Sequence, residues 1–473
     1  MVTLDEAKIR RLPRPEGVGV QRLLDGVVRG FILLVVVTVV VLNRVNESGN
    51  HNVDSIGADP LALLVTDSAL HQNERQPMAS PVAAQAIKPS RPVRRGEDNA
   101  HVPVPEAPRL SAAELAAFKP NELGYVPVLM YHAFTTDPEH LDDWTTNPER
   151  FRDDLQWLAD HDFFIISLDD LLTNEIAVPP GKHPVVLTFD DASSGQFRLL
   201  EDATGQLAPD PATAVGVMEA FFATHPDIGR GGHFAFVPNN CFHHDAEVTT
   251  CEERLAWLAG HGYEIGNHTW YHQNLGEADD ERFMSQIGDT KLWIDERVPG
   301  DANLSNVLTL PFGAFPATEW QYHMLVNGFD WEGQRIQLAA VLTVGGGPSV
   351  SPDSAMWDPW AITRINTGEA TLGYWQAQIE TGATTLYTSD GNPTVTTIPE
   401  ALPEDLAAQF DPSVIAGKGR SLVGYNAEPA DETTGLHQGD MAALVRSWTS
   451  ARRKRASRVR PSKVPRPRAG NVR

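Results

Sequence analysis

The chain has 473 residues, of which 41% are hydrophobic and 21% charged, and its 62 acidic side chains outnumber its 38 basic ones, giving a formal charge of -24. With 37 Gly, 35 Pro and 2 Cys, the composition excludes a collagen-like repeat and a disulfide-stapled miniprotein. The acidic balance disfavours nucleic-acid binding by the folded part, because phosphate recognition needs a basic surface.

Residues 1–42 have the pattern of a targeting segment. Residues 1–26 form a basic segment, and residues 27–42 are almost purely apolar. Such a run is short for a membrane span, which needs about 20 residues, but too apolar for a surface helix. We favour a retained signal anchor, because the residues after Leu42 are bulky and polar; the alternatives are a cleaved signal peptide with secretion of the protein, and a buried helix of the fold. The charge bias predicts a cytoplasmic amino terminus and an extracytoplasmic remainder.

Two further segments are predicted to lack a core. Residues 43–121 are rich in Pro, Ala, Ser and charged residues without a sustained helix or strand period, which indicates a linker outside the membrane. Residues 427–473 are predicted to be a disordered tail, which from position 452 contains many Lys and Arg and no Asp or Glu. This tail is either simply solvated or binds anionic lipid or cell-wall polymer.

Residues 122–426 alternate between strand-like and helix-like segments. Strand-like runs occur at 126–131, 184–189, 233–237, 263–266, 306–310, 338–344 and 361–365, and helical patterns occur from 148 and at 213–224, 252–261, 280–297 and 318–327. This alternation predicts an α/β fold, a deformed parallel barrel with about seven strands. In such a barrel the active site forms at the carboxyl ends of the strands.

Polar clusters follow three of these predicted strands. Asp190 and Asp191 follow the run 184–189, His268 and His272 follow the run 263–266, and Pro311-Phe312-Gly313 follows the run 306–310. Adjacent carboxylates repel each other unless they share a cation or a proton. Two His residues near a carboxylate supply the N, N and O ligands of an open metal site. Each cluster alone is a weak signal, because an Asp-Asp pair is more often a turn or a helix cap, and two His residues four positions apart are more often a surface coincidence.

Together, the clusters carry a family resemblance. The motifs read Leu187-Thr188-Phe189-Asp190-Asp191, then Glu264-Ile265-Gly266-Asn267-His268-Thr269-Trp270-Tyr271-His272, then Leu310-Pro311-Phe312-Gly313. In this order they resemble the NodB-type polysaccharide deacetylases, carbohydrate esterase family four, over residues 122–397. Three departures occur: Thr309 stands where the family commonly has Arg, Ala192 stands where it commonly has Gly, and no Leu-x-x-His motif is recognisable.

The resemblance implies a site and a reaction. Asp191, His268 and His272 would hold a divalent metal, usually zinc, and Asp190 would take a proton from metal-activated water. The backbone N–H of Phe312 would stabilise the oxyanion, and Trp270 and Trp360 would offer apolar walls to a sugar ring, although ordinary barrel core is an equal explanation for each Trp.

Two residues are candidates for the partners that the departures remove. Arg364 lies in a predicted strand and could face Asp190 inside the barrel mouth, keeping that carboxylate ionised. His132 follows the first predicted strand and could protonate the leaving amine. A surface Arg and a buried core His are the alternative interpretations.

Cys241 and Cys251 lie close together in one polar segment. Outside the cytoplasm such a pair is expected to oxidise to a disulfide, and free thiols are the alternative. His243 and His244 lie beside them, but the spacing fits no structural zinc motif.

Two functions follow from the sequence. The first is metal-dependent removal of N-acetyl or O-acetyl groups from a cell-wall or extracellular polysaccharide, such as peptidoglycan, a chitin-like polymer or an exopolysaccharide. The second is a catalytically impaired module that binds metal and carbohydrate. The departures from the family pattern favour the module, whereas retention of Asp190, which a mere metal site does not need, favours the enzyme.

Overall fold

The computed structural model describes residues 109–201, 205–243 and 249–426. The predicted basic segment 1–26, the predicted anchor 27–42, residues 43–108 of the predicted linker and the predicted tail 427–473 lie outside these residues. Within the described ranges, no helix combines the length and the apolar character that crossing a membrane requires.

The described residues form short strands and helices in alternation. The strands are β1 Val128–Tyr131, β2 Ala133–Phe134, β3 Thr145–Thr146, β4 Phe163–Ile165, β5 His183–Asp190, β6 Leu199–Glu201, β7 Leu207–Pro209, β8 His233–Phe236, β9 Glu264–Asn267, β10 Asn303–Thr309, β11 Phe329–Trp331, β12 Gln334–Ile336, β13 Ala340–Gly346, β14 Ile362–Asn366, β15 Val395–Pro399 and β16 Ser421–Tyr425. The helices are α1 Ala112–Phe118, α2 Pro148–Asp160, α3 Leu168–Leu172, α4 Ala214–Thr224, α5 Cys251–Gly260, α6 Asp280–Arg297, α7 Glu319–Asn327, α8 Glu369–Glu380, α9 Glu404–Ala407 and α10 Pro412–Gly417.

Parallel strands close into a barrel in the order β1-β5-β8-β9-β10-β13-β14 and back to β1. Leu129 of β1 closes the ring, because it pairs with Leu187 of β5 on one side and with Ile365 of β14 on the other. β4 adds to the ring by pairing with the first residues of β5. The predicted α/β barrel with about seven parallel strands is therefore confirmed.

Alternation along β5 separates the two faces of the barrel wall. Val185, Leu187 and Phe189 belong to the large buried cluster that includes Phe151 and Leu155 of α2, and so they face the surrounding helices. Val186 belongs instead to a second cluster with side chains of β1, β10, β13 and β14, which fills the barrel interior. Because side chains alternate along a strand, Thr188 and Asp190 share the inner face with Val186.

Local sequence signals fix the helix starts. Asn147 caps α2 by accepting a hydrogen bond from the Arg150 N–H, and Pro148 occupies the first helical position as the sequence predicts. Thr250 and Glu253 form a reciprocal capping box at the start of α5. These caps place the helices so that each returns the chain to the start of the next strand.

Ordered structure extends beyond the strands that the sequence pattern indicates. α1 lies at the end of the segment interpreted as a linker, where Ser111 and Glu114 form its capping box. After α8, β15 and β16 pair in parallel. Glu122 fastens this addition before β1, because its buried carboxyl group accepts hydrogen bonds from the N–H groups of Asp390 and Thr397.

Candidate functional site

Three side chains from two strand ends converge at the top of the barrel. Asp191 directly follows β5, and His268 directly follows β9. The Nε2 atoms of His268 and His272 each lie 3.3 Å from Oδ1 of Asp191. Their three ligand atoms lie within 4.8 Å of one another, which is the spacing of a set that can hold one metal ion.

The orientation of His268 shows that this group fits a metal. Its Nδ1 lies 2.9 Å from the carbonyl oxygen of Thr309 and must donate to it, so Nε2 carries the lone pair. This Nε2 is buried and faces Asp191 Oδ1 at 3.3 Å. A buried imidazole nitrogen beside a carboxylate oxygen and a second imidazole matches the N, N and O ligands of a catalytic zinc site.

The backbone around the site adopts conformations that are costly for side chains. Positive φ values between 53° and 81° occur at Asp191, Ala192, Thr269, His272 and Phe312. Such strain concentrates at functional sites, where the surrounding structure maintains it. At position 192 the φ of 53° is one that Gly adopts freely, and here a buried Ala adopts it.

Asp190 forms a buried ion pair on the inner face of the barrel. Arg364 Nη1 donates to its Oδ1 and Nη2 donates to its Oδ2, both at 2.8 Å, and both side chains are almost completely buried. Thr188 Oγ1 and the Thr343 carbonyl oxygen accept the remaining hydrogen bonds from Arg364. Burial by itself would raise the pKa of Asp190, but the guanidinium of Arg364 outweighs it and holds that pKa well below its usual range.

His132 lies on the other side of the same carboxylate. Its Nε2 is 3.7 Å from Asp190 Oδ2, and its ring packs edge-on against Trp144 with centroids 4.8 Å apart. Burial lowers the pKa of His132 below 6.5, although the negative charges of Asp190 and Asp191 oppose this shift. The imidazole is therefore neutral at pH 7 and stands beside an ionised carboxylate.

The side chains of Phe312, Trp270 and Trp360 have different surroundings. The Phe312 ring is 66% exposed and lies 4.5 Å from the His272 ring, centroid to centroid. Trp270 lies two residues before His272 and is partly buried. Its backbone N–H donates a hydrogen bond to the Gln286 carbonyl oxygen. The structure does not bring Trp360 into this group, because Trp360 packs against a separate cluster of side chains from α6, β10 and α7.

The sequence analysis missed Gln196 as a supporting residue. Its side-chain amide donates to the carbonyl oxygens of His132 at 2.7 Å and of Asp190, and so it joins the ends of β1 and β5. Its only sequence signal is its place shortly after the Asp190-Asp191 pair. Its partners are main-chain carbonyls, which any residue type provides.

A disulfide lies next to the loop that carries Asp191. Cys241 and Cys251 are joined, with Cα atoms 5.9 Å apart. In the segment before Cys251, the Asn240 side chain donates to the Asp191 carbonyl and the Phe242 N–H donates to the Ala192 carbonyl. The cross-link therefore braces the main chain that presents the predicted metal ligand.

Comparison with known families confirms the motif-based resemblance. The family model described as polysaccharide deacetylase matches residues 177–324, which include Asp190, Asp191, His268, His272 and Phe312. His132 and Arg364 lie outside the matched range. A search of curated proteins finds no match.

Several solved structures align with about half of this chain. They include the Streptococcus pyogenes deacetylase PplD in complex with acetate (17% identity, TM-score 0.38, 53% of this chain and 98% of that chain), BC0361, a polysaccharide deacetylase from Bacillus cereus (15%, 0.37, 54% and 68%), and IcaB from Ammonifex degensii (16%, 0.35, 54% and 97%). Because these identities and TM-scores are low, the barrel assignment depends on the strand pairings described above.

Proposed function

We propose that this chain, which matches the polysaccharide deacetylase family model over residues 177–324, hydrolyses N-acetyl or O-acetyl groups of an extracellular or cell-wall polysaccharide in a metal-dependent reaction. The observation that carries this proposal is the buried pair of Asp190 and Arg364 beside the convergent Asp191, His268 and His272. A protein that only bound metal and carbohydrate would need the three ligands but not an ionised carboxylate held next to them. The geometry thus favours the enzyme over a catalytically impaired binding module.

Asp191, His268 and His272 would hold the metal, with zinc as the expected ion. When bound there, a divalent ion supplies a Lewis acid for the acetyl carbonyl and for water. Asp190, which stays ionised because of Arg364, accepts a proton from the attacking water. The Phe312 N–H has no hydrogen-bond acceptor among the described residues and is available to stabilise the oxyanion.

His132 completes the proton transfer. Its Nε2 lies 3.7 Å from Asp190 Oδ2, so the neutral ring can accept the proton that Asp190 took from water and donate it to the nitrogen of an N-acetyl group as the C–N bond breaks. Water adds to the acyl carbon, the nitrogen leaves as an amine with the transferred proton, and acetate is released. For an O-acetyl group, the same proton goes to the departing sugar oxygen.

Acetate release tests this function. Purified protein would be incubated with an N-acetylated chito-oligomer and with an O-acetylated glycan, with and without a chelator. We expect chelator-sensitive release of acetate from one of them, loss of metal in Asp191→Ala, and retained metal with lost activity in Asp190→Asn. Oligomer binding without any acetate release would support the carbohydrate-binding module instead.

We also propose that the domain is tethered outside the cell membrane by the apolar segment 27–42. The charge pattern around this segment supports the orientation, and the Cys241–Cys251 disulfide is typical of an oxidising compartment. Protease added to intact cells is expected to cleave the protein within 43–121. Complete protection of the accumulated protein would contradict this location.

A further inference from the structure

A small polar pocket lies beside His132, formed by the segment between β2 and α2. His132, Asp142, Asp143, Trp144 and Thr146 line it. Its free volume is about 10 Å³, which is room for about one water-sized group. The pocket is too small for a sugar ring, but it can take one polar substituent of a ring that rests at its mouth.

Thr146 shows that the pocket is built to receive a hydrogen-bonding group. Its side chain is only 6% exposed, and its Oγ1 is buried without a hydrogen-bond partner in the described part of the chain. The backbone of Thr146 is already fixed, because its carbonyl accepts the Thr135 N–H in the short β2–β3 pairing. A buried hydroxyl group without a partner is rare in folded proteins, and a ligand group or an ordered water normally satisfies it.

The charge of the pocket is negative. Asp142 and Asp143 are exposed, and neither carboxylate forms an ion pair with any residue that the structure describes. The backbone N–H of Trp144 donates to Asp142 Oδ1 at 2.8 Å. This hydrogen bond lowers the pKa of Asp142, so the carboxylate is ionised at neutral pH. Arg150 reaches the Thr367 carbonyl nearby, but its guanidinium is already 3.5 Å from Glu369.

A platform for a sugar ring adjoins the pocket. The Trp144 side chain is 46% exposed, while its contact with the His132 ring ties it to the active site. An aromatic face with one small polar pocket beside it is an arrangement that holds a sugar by its apolar face and reads one substituent. Two carboxylates at that pocket favour a cationic substituent over a neutral hydroxyl group.

We propose that this pocket binds the ammonium group of a sugar residue next to the one that loses its acetyl group, with the ring stacked on Trp144. The inference rests on the proposed deacetylation, whose product is a free amine. The amine left by one turnover then becomes a recognition element for a later turnover on the same chain. The preferred substrate is accordingly a partly deacetylated amino-sugar polymer.

Two oligomers of equal length test the preference. One chito-tetramer is fully N-acetylated, and the other carries one free amine between acetylated residues. We expect kcat/KM for acetate release to be about fivefold higher for the amine-bearing tetramer than for the fully acetylated one at low salt. This ratio should become smaller in 0.5 M salt, because dissolved ions screen the attraction between exposed charges.

Asp143→Asn is the informative variant, because the Asp143 carboxylate forms no hydrogen bond with any residue that the structure describes. The ratio of the two kcat/KM values should fall to near one in Asp143→Asn and remain at the wild-type value in Glu139→Gln. Glu139 is exposed on the same segment but does not line the pocket, so Glu139→Gln removes the same charge as Asp143→Asn at a position outside the pocket. Equal kcat/KM values in the wild type, or an unchanged ratio in Asp143→Asn, would overturn the proposal.

A binding measurement separates this inference from the proposed function. If the wild type releases no acetate from either tetramer, N-deacetylation of chito-oligomers fails, and the pocket is judged by the Kd for a fully deacetylated glucosamine tetramer. We expect Asp143→Asn to raise that Kd about fivefold and Glu139→Gln to leave it unchanged. Equal Kd values for wild type and Asp143→Asn would refute the ammonium site.

Discussion

Arg364 is the residue on which the state of Asp190 depends. Both of its terminal nitrogens face the carboxylate, and the pair is shielded from water. Removing one partner of a buried ion pair leaves an uncompensated charge, which typically costs about 3–5 kcal/mol. Arg364 does not need to touch the substrate to matter, because it acts through the orientation and ionisation of Asp190.

Arg364→Met should therefore reduce kcat by at least about 100-fold while metal content stays near that of the wild type. Arg364→Lys keeps the charge but loses the two-pronged contact, and an intermediate kcat is expected. Kinetics and metal analysis on the same preparations are the measurement, with folding checked by circular dichroism. Wild-type kcat in Arg364→Met would show that this ion pair is only structural.

His132 should determine the acid limb of the pH–rate profile. Burial lowers its pKa, so the transition is expected below pH 6.5, and His132→Ala should flatten it. His140 is the matched control, because it lies on the same segment, is exposed and pairs with Asp137. A profile in His132→Ala with the wild-type acid limb would leave the proton donor unassigned.

At the scale of elements, the segment between β8 and α5 braces the loop that follows β5. Two hydrogen bonds reach the carbonyls of Asp191 and Ala192 from Asn240 and Phe242, and the disulfide of Cys241 and Cys251 closes that segment. The two cysteines are 10 residues apart, and closing a loop of this order typically stabilises a protein by about 2–3 kcal/mol. The position of Asp191 thus depends on an element that supplies no ligand.

Cys251→Ser should lower the free energy of unfolding by about 2–3 kcal/mol and weaken metal retention. Thermal unfolding and metal titration would measure the two effects. Reducing agent should reproduce both in the wild type and change nothing further in the variant. An unchanged metal affinity would show that the disulfide supports the fold without supporting the site.

The sequence predicted the elements better than their mutual contacts. Caps such as Asn147 and apolar runs such as that of β5 are local signals, and strand-end logic places Asp191 and His268 on one face. Gln196 and Thr146 carry no such signal, because their roles depend on main-chain carbonyls and on a cavity. These features exist only after distant segments have packed together.

The stability of the whole molecule depends on two buried titratable side chains, Glu264 and His233, which form a polar layer within the barrel. Glu264 accepts the N–H groups of Leu168 and Asp169 at the start of α3, and its Oε2 lies 3.9 Å from His233 Nδ1. The two ring nitrogens of His233 have no hydrogen-bond partner within the described residues. Gly266 makes room for this ring, since a Cβ there would come within 2.5 Å of its Nε2.

Burial shifts the pKa values of His233 and Glu264 in opposite directions, and so the two residues change the stability of the protein in opposite ways as pH varies. It lowers the pKa of His233 to about 3, so the folded state loses stability relative to the unfolded chain as pH falls below 6.5. It raises the pKa of Glu264 to about 8, so the folded state keeps a proton that the unfolded chain has lost above pH 4.5. Stability from Glu264 is therefore fully present below pH 4.5 and is lost as pH rises through 8.

Between pH 7 and pH 8, His233 is largely neutral in both states, so Glu264 is the main titrating group of this layer. Glu264 should by itself lower the free energy of unfolding of the metal-free protein by about 1 kcal/mol across this interval, because one pKa unit corresponds to about 1.4 kcal/mol. Glu264→Gln carries no titrating proton and should remove this contribution from the slope, even though it loses one acceptor for the N–H groups of α3. Urea unfolding at both pH values measures the difference, with the exposed Glu175→Gln as the control that should keep the wild-type slope. The same slope in Glu264→Gln as in the wild type would place the titrating group elsewhere in the molecule.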